Sequence, residues 1–192
     1  MEVNKDGSFL DLRDEAGEEQ AGMGVNKDGP QLILVDEAGK VRARMGVLMG
    51  GPVLALFDEA GKLRVDLSQN SVRAGLALAD KAGKVRAGLA VGEDGPGLSL
   101  SDEAGNRRVS LGFFKFLDGP MLSLWNVAGE PLAMLAQQGK EDPVLVLYDE
   151  AGKRLWSAPQ QIIPCLQALL LDWLGGGIGA AVVPAPGLPP PP

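Results

Sequence analysis

A chain of 192 residues with net charge −7, no histidine and one cysteine has room for one or two ordinary domains. The acidic balance argues against a nucleic-acid backbone as partner. The missing histidine removes the commonest general base and metal ligand, and Cys165 alone permits no intrachain disulfide.

The chain opens on Met1-Glu2-Val3 without a signal peptide and already inside a repeat. That abrupt start predicts a truncated gene, a fragment or one member of a split array. The repeat is marked by an acidic turn ending in glycine, from Asp14-Glu15-Ala16-Gly17 through Asp36, Asp58, Asp80, Asp102 and Asn126 to Asp149-Glu150-Ala151-Gly152. Its spacing is 22 residues through the fifth copy, then 24 and 23. Self-similarity at a fixed period signals a repeat architecture whose units cover one another's apolar surface.

Each unit carries two short alternating segments, the period of a strand with one covered face. Around Asp58, Leu54, Leu56, Leu63, Val65 and Leu67 share one face, and Ala55, Phe57, Arg64 and Asp66 the other. The expectation is that the leucine face is buried and that Arg64, Arg86 and Arg108 point to solvent. Parity requires an even loop if leucines are to oppose leucines. A four-residue loop Asp58–Gly61 would set Leu56 opposite Leu63, although the sequence leaves that register open. The second turn, read as a four-residue loop such as Asn26-Lys27-Asp28-Gly29 followed by Pro30, would set Met45 opposite Leu54. Aspartate opens such turns by bonding nearby amides, and glycine supplies positive φ.

The fold expected is therefore all-β: tandem 22-residue hairpins over residues 3–159 in an elongated antiparallel meander that rolls up or assembles. A two-sheet β-solenoid with one repeat per coil is the alternative. The meander is favoured because tight glycine turns join strands about 4.8 Å apart, whereas a solenoid corner crosses about 10 Å.

After the fifth repeat, Phe113, Phe114 and Phe116 cluster at a longer loop. The plain reading is a loop folded over the sheet edge; the functional one is a partner or lipid contact. Trp156 in the last repeat is expected to cap the apolar face. Beyond it, Leu166, Leu169, Leu170, Trp173 and Leu174 follow helical spacing, which predicts a short packing helix and glycine hinge over 160–177, too short for a membrane span. Residues 178–192 read as a proline-rich disordered tail. Cys165, on that apolar segment, reads as buried rather than nucleophilic.

A ladder of repeated aspartates invites calcium, which needs several oxygens converging on one ion. Each aspartate here has a local task in its turn, so no metal and no cofactor is expected. No glycine cluster opens a helix after a strand, and nucleotide binding has no support. One surface feature stands out. Phe57, Trp125 and Tyr148 precede the turns on the non-leucine face, and the outgoing strands offer Arg64 and Arg86 there. Aromatics beside arginines suit a protein or glycan partner. The candidate partner-binding residues are these five with Phe113, Phe114 and Phe116.

The unit Gly-Pro-x-Leu-x-Leu-x-Asp-Glu-Ala-Gly-Lys-x-Arg, with the terminal Leu155-Trp156-Ser157-Ala158-Pro159, resembles tandem hairpin repeats of uncharacterised bacterial proteins, often membrane-anchored or surface-associated. Tyr148-Asp149-Glu150-Ala151-Gly152-Lys153 is more distantly similar to the YD repeats of Rhs-type proteins. The first resemblance implies a bacterial or phage source and a surface or extracellular location, and carries no activity. The function expected is a non-catalytic structural or surface scaffold, not an enzyme, with self-association. The alternative is a binding module using the aromatic and arginine face.

Overall fold

The computed structural model describes residues 2–4, 7–48 and 50–159. The helix expected within 160–177, Cys165 and the proline-rich tail lie outside them. Two compact units divide the chain between Gly97 and Leu98.

The first unit holds β1 (Glu2–Asn4), β2 (Gly7–Arg13), β3 (Glu19–Asn26), β4 (Gly29–Val35), β5 (Val41–Leu48), β6 (Gly51–Phe57), β7 (Leu63–Gln69), β8 (Ala74–Ala79) and β9 (Val85–Gly92). Each pairs antiparallel with the next in sequence. The division falls within β10 (Gly95–Ser101). The second unit holds β11 (Arg107–Phe114), β12 (Gly119–Trp125), β13 (Pro131–Ala136), β14 (Val144–Tyr148) and β15 (Arg154–Ala158), again antiparallel in chain order. Each unit is a meander of hairpins, and the solenoid alternative falls.

The second turn has the expected register, with Met45 opposite Leu54. It is tighter than four residues. Asn26 pairs with Gly29, so the loop is Lys27-Asp28, and Asn26 Oδ1 accepts the Asp28 amide at 2.9 Å. The opening glycine of β4 is demanded twice over. Its φ is +122°, and a Cβ there would lie 2.0 Å from the Val47 carbonyl oxygen of β5. Gly7 and Gly51 meet the same obstacle, at 1.9 and 2.1 Å from carbonyl oxygens. Where the repeat lacks Gly-Pro, at Asn70-Ser71-Val72-Arg73, the loop lengthens to four residues and Asn70 Oδ1 accepts two amides.

The acidic turn departs from the four-residue expectation. The Gly61 amide donates to the Asp58 carbonyl, and the Asp58 amide to the Lys62 carbonyl, both at 2.9 Å. The loop between that last pair is the odd triplet Glu59-Ala60-Gly61. Phe57 pairs with Leu63, and then the register shifts so that Leu56 meets Val65, not Leu63. Arg64 is the extra residue. An odd loop inverts parity, and a one-residue bulge inverts it back. The same shift occurs at Arg42 and Arg86.

Burial reverses the expected faces. The unbroken cross-strand row Leu10, Met23, Leu32, Met45, Leu54, Leu67 continues through Leu76 to Leu89. Most of it is exposed. On the opposite face Ala55 and Ala90 are buried, and small residues stand close under larger neighbours. A Cβ on Gly24, for example, would lie 2.3 Å from the Phe9 ring. In the second unit the opposite face forms the core: Phe114, Leu117, Met121, Met134, Ala136, Val144 and Val146, with Tyr148 against them. Trp156 sits opposite Leu147 on the leucine face and is itself exposed.

Candidate interaction surfaces

The bulge explains where the arginines go. It turns the extra residue toward the turn it follows, so Arg42, Arg64 and Arg86 reach the aspartates six residues back. Their Nη1 atoms lie 3.1, 3.4 and 3.2 Å from Asp36, Asp58 and Asp80 Oδ2, and Arg108 pairs with Asp102 in the second unit. The other carboxylate oxygen, Asp58 Oδ1, accepts the amides of Ala60 and Lys62 at 2.9 Å. Arg42 Nε also donates to the Phe57 carbonyl, and Arg64 Nε to the Ala79 carbonyl, at 3.1 and 2.8 Å. Lys40 Nζ reaches the Glu59 carbonyl at 2.7 Å. The turns at Asp36 and Asp58 are thus tied to their own outgoing strands and to the next hairpin.

These bonds set the charge state. At Asp36 and Asp58 the amides of Lys40 and Lys62 hold the carboxyl below the ordinary aspartate range, aided by the arginine and partly opposed by desolvation. At Asp80 and Asp102 desolvation is the largest influence and acts upward, but the amide bonds and the arginine together outweigh it. Among the described residues no three of His, Cys, Asp and Glu side chains gather into a metal-binding group.

The expected partner-binding residues divide by environment. Arg64 and Arg86 are engaged as above. Phe57 is half-buried at the end of β6, its carbonyl taken by Arg42. Trp125 and Phe114 are buried. Tyr148 packs on the core of the second unit, and burial raises its hydroxyl pKa against the opposing charge of Arg154. Phe113 and Phe116 remain 43% and 42% exposed. Phe116 leans on Phe114 with ring centroids 5.5 Å apart at 41°. The turn between them is held by Leu117, which is buried and whose carbonyl accepts the Gly139 amide at 3.0 Å.

The leucine face, expected to be covered, is instead an open surface. Over β2–β8 a groove of about 990 Å³ is lined by leucine-face residues including Leu10, Met23, Met45, Val47 and Leu67, and by residues that alternate with them, such as Phe9 and Val53. Two adjoining rows across β2–β9, the leucine ladder and the row from Leu12 to Ala87, contain no polar side chain. The alternation that identified this face in the sequence is its only signal there.

No protein-family model and no curated protein sequence matches this chain.

Proposed function

We propose that this protein is a non-catalytic structural repeat scaffold. The observation that carries this reading is the use made of the charged residues within the repeats. Asp36, Asp58 and Asp80 are each committed to two backbone amides and an arginine, and Arg42 and Arg64 to the following hairpin. Such side chains fix the geometry of an array and leave little chemistry for a substrate. The likeness to surface-associated bacterial repeats supports the same role.

A scaffold built of interchangeable units tolerates a change of length. Removing residues 58–79, one full period, is expected to preserve the β-sheet circular dichroism and cooperative melting. Collapse of the fold would remove the scaffold reading. A second reading, a protein- or glycan-binding module, rests on Phe113 and Phe116, both exposed beside buried Phe114. Peptide and glycan arrays separate the two. Saturable binding abolished by Phe113→Ser and Phe116→Ser would favour the module.

A further inference from the structure

We infer that the leucine face of the first unit is a docking surface for a second copy of this chain. The inference rests on the scaffold reading and specifies how scaffold units join. Three observations support it: area, charge and periodicity.

Leu10, Met23, Leu34, Met45, Leu67 and Leu89 are among more than ten large apolar side chains left exposed in this unit. At ordinary side-chain sizes they present on the order of 1,000 Å². The largest apolar patch on a monomer is about 300–600 Å², and a stable interface takes about 800 Å² from each partner. The face has the area of an interface.

The two central rows carry no charge in a chain that is 22% charged. A partner recognised through ion pairs has nothing to hold, and the occupant is apolar. A bilayer fits poorly. Even with the row of Val25 added, the face from Val25 to Ala21 spans four residue steps of strand, about 14 Å at 3.4 Å each, against an apolar band of about 25 Å on a membrane barrel. The net charge of −7 also opposes an anionic lipid surface.

Periodicity selects the occupant. The second row runs Leu12, Ala21, Leu34, Ala43, Leu56, Val65, Leu78, Ala87. Leucine alternates strand by strand with a smaller side chain, alanine or valine, a corrugation repeating about every 9.6 Å, two strand spacings. Large residues fill the spaces over small ones only where the partner has the same period. A copy of this chain, shifted by one strand, matches along the whole of this row. A surface without the repeat matches at one place.

The first arm of the test needs no mutation. Met23 and Met45 lie on this face, 56% and 53% exposed, whereas Met121 and Met134 are 5% and 4% exposed and serve as internal controls. The full-length chain is treated with dilute hydrogen peroxide over a range of protein concentrations. Methionine oxidation is read by mass spectrometry and molar mass by light scattering. The expected result is that Met23 and Met45 are protected at high concentration and lose protection at least tenfold on dilution, in step with a fall in mass. A Leu54→Lys/Leu67→Lys chain, with its folding checked by circular dichroism, should show the lower mass and the unprotected rates at every concentration.

Three results would overturn the inference. A monomer with both methionines reactive throughout would mean an uncovered face. A monomer with both protected at all dilutions would mean that the chain covers its own face. Protection appearing only with phosphatidylcholine or phosphatidylglycerol vesicles would assign the face to lipid. In each case the single-repeat deletion still judges the scaffold reading separately.

Discussion

At the residue scale, the two recurrent glycines of each repeat serve different physical needs. Gly61 has φ +74° and open space around the position a Cβ would take, with nothing within 4 Å, whereas Gly29 combines φ +122° with a carbonyl oxygen 2.0 Å away. Gly61→Ala should therefore cost about 1–2 kcal/mol, the ordinary penalty of a left-handed backbone, and Gly61→Asn less. Gly29→Ala should cost more than either, because the adjoining strand must move. Calorimetric melting of the three variants checks the order. The aspartates make stability pH-dependent. Their folded pKa values are depressed at Asp36, Asp58, Asp80 and Asp102. Their contribution is therefore complete above the unfolded value near 4 and is lost as pH falls through the folded values. The melting temperature should be level from pH 7 to about 5 and decline below about 4. The sixth repeat already carries a neutral substitute: Asn126 Oδ1 accepts the amides of Ala128 and Glu130 at 2.9 Å. Asp58→Asn should then keep the turn, lower the melting temperature less than Asp58→Ala, and flatten the acid decline.

At the scale of the element, the hairpin was legible in its period, its turns and its even parity, but not in how parity is met. The second turn is two residues shorter than expected, but both lengths are even, and Met45 meets Leu54 as the pattern requires. The acidic turn has two, an even loop or an odd loop with a bulge, and alternation does not separate them. The deciding signal was the fixed interval from aspartate to arginine, since the bulge brings Arg64 to Asp58. Arg64→Ser should accordingly lower the melting temperature of the array more than a change at exposed Lys62, and high salt should shrink that difference. The covered face was misjudged because alternation shows that a strand has two faces without saying which is covered, and exposed leucine is not by itself anomalous. A better signal lay in Val144-Leu145-Val146-Leu147, where alternation gives way to a continuous apolar run, the mark of a strand with apolar residues on both faces. Val144 and Val146 are indeed in the core. Of the candidate site, Phe113 and Phe116 retain exposure, while Trp125 and Phe114 are core residues that residue type alone did not distinguish from binding aromatics.

At the scale of the whole molecule, stability and assembly should separate by face. Val146→Asp places a carboxylate in the core of the second unit and should cost several kcal/mol. Leu89→Asp, on the exposed row, should cost under about 1 kcal/mol in dilute solution. Denaturant titration of both at low protein concentration checks this, and equal losses would restore the leucine face as the interior. The order of the strands has a further consequence, for the speed of folding. Each strand within a unit pairs with its successor in the chain, and even Gly7 and Asn26, the most widely separated partners in the β2–β3 hairpin, are only 19 residues apart. The chain closes only short loops, so the entropy lost before contacts form is small. All-β domains dominated by distant pairings take milliseconds to seconds to fold; this one should reach its native signal in a few milliseconds or less. Stopped-flow fluorescence of Trp125, read against a Trp156→Phe/Trp173→Phe background, would follow the second unit as it forms.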